Sequence, residues 1–274
     1  MIDLHLHTTA SDGTLTPSEL VSFACAAGLS VISITDHDTT AGCEAASEAA
    51  RAAGLQLVPG IEISAVADGR DVHVLGYFID IASASLRGFL DRQRTDRLRR
   101  VAAMQERLAA LGCPIDVAPI LEDAGRGKSV GRPQVAAALV AAGHVPTRDE
   151  AFRRYLEFDG AAYVPRCGAS PAEVVAIVHG AGGVASLAHP GVTMRDHLIA
   201  PLAAAGLDAI EAVHSDHDAP TQARYRALAA ELGLLVTAGS DFHGDSGHRA
   251  SRLGTVSLSA PEFEALAAAA ERRR

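Results

Sequence analysis

Two histidines one residue apart, His5 and His7, close the first apolar run of this 274-residue chain. In a strand, residues two apart share a face, so both imidazoles would aim at one spot. An isolated pair of this kind reads as two polar side chains on a wet face. This pair has company. Ser11-Asp12-Gly13 follows it, Asp36 and His37 end a second apolar run, Glu62 ends a third, and His73 sits in a fourth. His189, His214, and Asp241 with His243 close three more. Imidazoles and carboxylates without thiolates suit Zn, Mn or Fe. The chemistry open to such a set is activation of water and stabilisation of negative charge. Spacing alone supports a polynuclear site and no particular division of ligands among ions.

The elements that must position these groups are short. The runs read IDLHLH, SVISITDH, LQLVPGIEIS, DVHVLGYF, GGVASLAHP, DAIEAVHS and LLVTAGSDF, with alanine-rich helical stretches between most of them. Thr16-Pro17-Ser18-Glu19 and Ser170-Pro171-Ala172-Glu173 each supply an N-cap, a proline at the first helical position and a glutamate back-partner. Repeated strand–helix units imply a mostly parallel sheet, either open or closed into a barrel. In a barrel the carboxyl ends of the strands converge on one mouth, where residues far apart in sequence become neighbours. One segment breaks the rhythm. From about Ser83 to Pro165 the pattern is only helical, with an arginine-rich stretch (Arg87, Arg92, Arg94, Arg97, Arg99, Arg100, Arg107) and then Gly131-Arg132-Pro133. The expected organisation is a barrel from residues 1–82 and 166–274, with 83–165 as a helical insertion capping the mouth.

Composition narrows the function classes. Apolar residues make up 48% and charged residues 21%, so a buried core is expected and disorder is not. The formal charge of −9 argues against a protein that coats long duplex nucleic acid, which needs a basic surface. A small anionic substrate in a local cationic pocket remains compatible with that charge. Four cysteines (Cys25, Cys43, Cys113, Cys167) form no Cys-x-x-Cys pair and read as reduced thiols of a cytoplasmic protein. The start, MIDLHLHTTASDG, lacks the grammar of a secretory signal, and no apolar run reaches the roughly 20 residues of a membrane span. No obligate protein partner is evident.

The segments HLHTTASDGTLTP, SITDHDT, PGIEIS, the His73 strand, LAHPG and GSDFHG resemble, in order, the motifs of the polymerase and histidinol phosphatase (PHP) family. That family belongs with the amidohydrolase-like barrels, and the likeness runs from the first strand to the last motif. GRPQVAAALVAAGHV and EAFRRYLEFDGAAYVPR also resemble one subgroup. Its members remove the 3′-phosphate from nucleoside 3′,5′-bisphosphates and trim short RNA from the 5′ end. Gln134 departs from that pattern, which has histidine after Gly-Arg-Pro, and puts one contact of the insert in doubt. The resemblance implies a distorted (β/α)7 TIM-like barrel with two or three divalent ions, manganese leading and iron or zinc open. It assigns His5, His7, Glu62 and Asp241 to a first ion, and Glu62, His73 and His189 to a second. Asp12, His37 and His243 fall to a third, and Asp36 would orient a ligand imidazole.

The reaction so implied is phosphate ester hydrolysis, with adenosine 3′,5′-bisphosphate to AMP and phosphate as an example. Asp12 and His37, through the third ion, and His214 are the expected catalytic residues. The proton for the departing 3′-oxygen would come from His214 or from a metal-held water, a choice left open. Lys128, Ser129 and Arg132, in the basic glycine-rich stretch GRGKSVGRP, are the candidates for gripping a second phosphate, with His214 beside the substrate. The stretch is not a Walker loop, because its spacing fails and no strand precedes it. The arginine-rich helix reads as a solvated face from which Arg97 or Arg100 could reach the mouth. His144, His179, His197, His217 and His248 lack the strand-end context and read as surface or core imidazoles. Rival functions are C–N bond hydrolysis of the amidohydrolase type, histidinol phosphate hydrolysis, and a non-catalytic metal-binding module.

Overall fold

Most strands are buried on both faces, which is what a sheet covered on its outer face and closed on its inner face requires. The computed structural model describes residues 1–244 and 252–273. His248 lies outside the described residues. Seven strands form a single sheet in chain order: β1 (Ile2–Leu6), β2 (Val31–Ile34), β3 (Gln56–Ala67), β4 (Arg70–Tyr77), β5 (Val184–Leu187), β6 (Ala209–His214) and β7 (Leu235–Gly239). The His7 N–H donates to the Phe242 carbonyl at 2.9 Å, and Leu6 bridges Phe242, so the two edges meet and the sheet closes. Around it lie α1 (Pro17–Ala26), α2 (Ala41–Ala53), α7 (Pro171–Gly180), α8 (Pro190–Thr193), α9 (Ile199–Ala204), α10 (Ala219–Leu232) and α11 (Ala260–Glu271). The two capping boxes expected from the sequence are present at the starts of α1 and α7.

One strand runs against the rest. β4 is antiparallel to both β3 and β5, because β3 returns directly through a tight turn at Asp68-Gly69. Both turn residues hold positive φ (49° and 72°), the left-handed region glycine reaches without cost. β3 is twelve residues long, so Glu62 stands in mid-strand rather than at its end. His73 likewise lies within an antiparallel strand, not at a carboxyl terminus.

Between β4 and β5 come only helices: α3 (Ala84–Ala110), α4 (Ala118–Gly125), α5 (Arg132–Ala141) and α6 (Arg148–Ala151), the last running into a π-helical turn over Phe152–Leu156. They enclose an apolar cluster of their own, including Val101, Met104, Leu108, Val135, Leu139 and Leu156, drawn entirely from residues 101–164. Hydrogen bonds tie this segment to the barrel, among them three to or from its main chain. Ser129 N–H donates to the Ala10 carbonyl (2.8 Å), Gln134 Nε2 to the Ser11 carbonyl (2.8 Å), and Gln93 Nε2 to the Ser64 carbonyl (2.6 Å). Among the described residues no helix is long and apolar enough to cross a membrane.

Candidate metal centre and anion pocket

Glu62 is the hub. Its mid-strand position aims a carboxylate, only 1% exposed, into the barrel mouth. Oε1 lies 2.8 Å from His73 Nδ1 and 3.0 Å from His189 Nε2. Oε2 lies 3.3 Å from His5 Nε2, 3.2 Å from His7 Nε2 and 3.1 Å from His37 Nδ1. The antiparallel pairing explains the His73 contact: Glu62 sits opposite Leu75, which makes His73 its diagonal neighbour on the same face. Asp241 Oδ1 approaches His5 Nε2 (3.4 Å) and His7 Nε2 (3.3 Å) from the other side. Asp12, in the turn after β1, reaches His243 Nε2 (3.3 Å) and His37 Nε2 (3.7 Å). All nine sequence-predicted ligands are thus within one nest. The four tightest groupings are His7–Asp12–His37–His243, His5–His7–Asp241, His5–Glu62–His189 and His37–Glu62–His73.

The nest fits divalent cations on its own evidence. Nε2 of His5, both ring nitrogens of His7, Nδ1 of His37 and of His73, and Oε2 of Glu62 are buried without a hydrogen-bond partner. Buried polar atoms are rarely left so, and a shared ion is what would satisfy all of them at once. The charge balance agrees. Burial pushes the carboxyls of Asp12, Glu62 and Asp241 up, yet the surrounding imidazoles bring each well below the ordinary range. Burial likewise disfavours a charged His7, but Asp241 and Glu62 raise its imidazole to about 10. Three carboxylates sealed from water need positive charge nearby, and without ions only protons on the ligand rings provide it. Two ligands also hold unusual backbone: His189 at φ 29° and Asp241 at φ 52°, a region costly for residues with a Cβ.

Several expectations change in the structure. Asp36 does not meet an imidazole; its oxygens accept from Thr8 N–H (2.8 Å), Thr8 Oγ1 (2.6 Å) and Ser11 Oγ (2.6 Å), pinning the loop that carries Asp12. His214 lies behind the ligands, 1% exposed. Its Nδ1 accepts from the Asp216 N–H at 3.0 Å, so Nε2 carries the proton and points at Asp241 Oδ2, 3.8 Å away. It is not among the residues lining the arginine pocket beside the nest. His217 is a core residue, its Nε2 accepting from the Gly191 N–H (3.1 Å) in the turn after His189.

Beside the nest opens a pocket that shares Asp12, His37 and His73 with it. Four guanidiniums enter the pocket: Arg97 and Arg100 from α3, Arg132 from α5, and Arg166 from the loop before α7. The solvated face expected for α3 is real for Arg94 and Arg99, which pair with Asp91 and Asp96, but Arg97 and Arg100 are 7% and 2% exposed. Two carboxylates answer them. Asp38 pairs with Arg97 (2.7 Å) and Arg166 (3.5 Å); Asp71 pairs with Arg132 (3.0 Å) and Arg166 (3.5 Å). Four guanidiniums against Asp38, Asp71 and the shared Asp12 leave a largely buried wall with net positive charge. Burial and the neighbouring Arg166 bring the Arg100 guanidinium down to about 10, and an anion in the pocket would relieve that strain. Arg100 Nη2 and Ser129 Oγ are buried there without hydrogen-bond partners. Lys128 is elsewhere. It pairs with Asp123 (3.0 Å) and lines an adjoining depression that shares Ser11, Asp12, Pro133 and Gln134 with this pocket.

Sequence reasoning missed Asp38, Asp71, Arg166 and Glu211. The signal for Glu211 was present: a lone carboxylate midway along an otherwise apolar strand, AIEAVH. For the arginines no periodicity distinguished the two that turn inward.

Comparison with known proteins bears on this geometry. The model of the PHP domain matches residues 3–156. The 5′-3′ exoribonuclease Rnm of Salmonella typhimurium is 37% identical over 88% of this chain and 84% of its own length. The 3′,5′-nucleoside bisphosphate phosphatase of Chromobacterium violaceum is 34% identical over 88% of this chain and 87% of its own. A crystal structure from Bifidobacterium adolescentis, provisionally called a metal-dependent phosphoesterase, superposes with a TM-score of 0.89 at 37% identity, covering 98% of this chain and 96% of that one.

Proposed function

The chain belongs to the PHP domain family as a metal-dependent phosphoesterase, and we propose that it removes the 3′-phosphate from nucleoside 3′,5′-bisphosphates. One observation carries this reading: a nest for cations and a pocket with surplus positive charge share a wall of Asp12, His37 and His73. A substrate with one anionic group has no use for both. A molecule with two phosphates on one ribose would occupy nest and pocket together. Short RNA with a 5′-phosphate presents the same pair of groups, which extends the reading to trimming from the 5′ end, the activity named in the Salmonella relative. Neutral amides gain nothing from the pocket, which disfavours C–N hydrolysis.

In this reading His5, His7, Glu62 and Asp241 would hold one ion, and Glu62 with His73 and His189 would hold a second. Asp12, His37 and His243 would hold a third. When bound, such ions lower the pKa of water from 15.7 to roughly 7 and offset phosphoryl charge. The chain's other residues do the rest. Ser129, Arg100, Arg132 and Arg166 bind the remote phosphate, fixing the scissile one against the nest. The segment of residues 83–165 caps the mouth and carries three of these four. His214, facing Asp241 rather than the pocket, acts by holding that carboxylate. Water adds to phosphorus, the bond from phosphorus to the 3′-oxygen breaks, and that oxygen leaves protonated.

The test is phosphate release by the manganese-loaded protein across a panel: a 3′,5′-bisphosphate, a nucleoside 3′-monophosphate, histidinol phosphate and a cyclic amide. The bisphosphate should have the highest kcat/KM, and chelation should abolish turnover. Equal rates on bisphosphate and 3′-monophosphate would leave the arginine pocket without a role, and ring opening without phosphate release would refute the reading.

A further inference from the structure

Glu211 takes no part in the ligand set, yet it is fully buried in β6 and touches two of its members. Oε1 lies 2.9 Å from Nδ1 of His5, and Oε2 accepts the backbone N–H of His189 at 2.8 Å. These ligands come from opposite sides of the barrel, β1 and the turn after β5. Room for the pair is made by Gly239 on β7, where a Cβ would stand 2.1 Å from the His5 Cβ and 2.7 Å from Glu211 Oε1.

We propose that Glu211 is a positioning residue for the metal centre, fixing the tautomer of His5 and the backbone of His189 with one carboxylate. The argument, which rests on the metal reading above, is an acceptor count. A backbone N–H can only donate, so Oε2 is committed to His189. The carboxylate can only accept, so the neutral His5 ring must carry its proton on Nδ1. That leaves the Nε2 lone pair directed at Glu62 Oε2 and Asp241 Oδ1, where an ion would lie. The His189 bond has a second effect. It anchors the residue whose φ of 29° is costly and whose ring must still reach Glu62 at 3.0 Å.

Glu211→Gln is nearly isosteric and separates these roles from packing. The amide oxygen can take only one of the two positions held by Oε1 and Oε2, and the NH2 takes the other. Kept on His189, it turns the NH2 toward His5 Nδ1, which must then accept, and the proton moves to Nε2. The lone pair at the ion is gone. We expect Mn²⁺ bound per protein, measured by elemental analysis after dialysis against buffered Mn²⁺, to fall by one ion. That ion's affinity should weaken roughly 10–100-fold. In the Zn²⁺-loaded protein, nitrogen NMR of the imidazoles should show His5 protonated at Nδ1 in the wild type and at Nε2 in the variant. Glu211→Asp keeps the charge and both acceptors but is one methylene short, so it should also lose affinity; a purely electrostatic role predicts wild-type binding. Unchanged Mn²⁺ affinity in both variants would overturn the proposal. So would a His5 proton on Nε2 in the wild type, a measurement that needs no variant to fold. A wild type that binds no Mn²⁺ would instead sink the metal reading itself.

Discussion

The two halves of the site are built on different principles. In the ion nest, most ligands leave a strand or the few residues after it: His5 and His7 by β1, Glu62 in β3, His73 in β4, Asp241 and His243 after β7. Their side chains are short, and strand alternation together with strand order decides where they point. In the anion pocket, Arg97, Arg100 and Arg132 come from helices between β4 and β5, and Arg166 from the loop that returns to the barrel. These side chains are long and are aimed by what they meet, chiefly Asp38 and Asp71, which the barrel supplies. On the proposed function, reactivity is a property of the sheet, whereas selectivity belongs to the segment laid over it. The largest effects should come from the sheet half, and they should leave the other half intact.

Asp241→Asn or His7→Ala should reduce bound metal and bring turnover to background for every ester, bisphosphate or aryl phosphate alike. Circular dichroism should show the fold retained, because the apolar clusters of the barrel do not use either side chain. Full activity in either variant would mean that these residues hold no ion. An effect confined to bisphosphates would erase the division between the halves.

This division also governs what could be read from the sequence. Seven apolar runs gave seven strands, and acid or imidazole at their ends gave the nest, because period two and barrel closure are rules about backbone. The antiparallel turn of β4 escaped: Asp68-Gly69 is a turn signal, but nothing in the alternation says that the chain reverses there rather than crossing over. The pocket was only half legible. Arg132 sits beside a proline at a helix start and stood out, whereas Arg97 and Arg100 look like Arg94 and Arg99 until Asp38 and Asp71 are seen facing them. Asp36 was misassigned for a related reason. Its position beside His37 suggested an imidazole partner, and only the structure shows Thr8 and Ser11 closing around it.

Packing offers a second way to separate the halves. Leu139 is fully buried in the apolar cluster of residues 101–164, away from the barrel. Leu139→Ala should cost that segment ~2–5 kcal/mol, read by hydrogen exchange in α3 and α5. The KM for bisphosphates should rise with it, while metal content and turnover of an aryl phosphate stay as in the wild type. Loss of metal in this variant would show that the cap also holds the nest together, against the comparison drawn above. Smaller and more local is Arg100→Met. Removing a charged donor should cost ~1.5–3 kcal/mol of binding, or roughly 10–100-fold in KM for bisphosphates. Arg132→Ala should act in the same sense. Equal losses on an aryl phosphate would assign these arginines to chemistry or folding.

The smallest effect should be that of Lys128→Ala. The sequence put Lys128, Ser129 and Arg132 in one phosphate-gripping loop, but the structure separates them. Ser129 and Arg132 line the pocket, while Lys128 pairs with Asp123 in the adjoining depression, the two meeting at Gln134, which is tied to the Ser11 carbonyl. A half-exposed lysine already neutralised by a neighbouring carboxylate offers a bound phosphate little. KM for a 3′,5′-bisphosphate should change less than about twofold, within the range expected for losing one exposed ion pair. A rise as large as that of Arg132→Ala would mean that the two depressions act as one anion site, and that the Gln134 bridge opens when substrate binds.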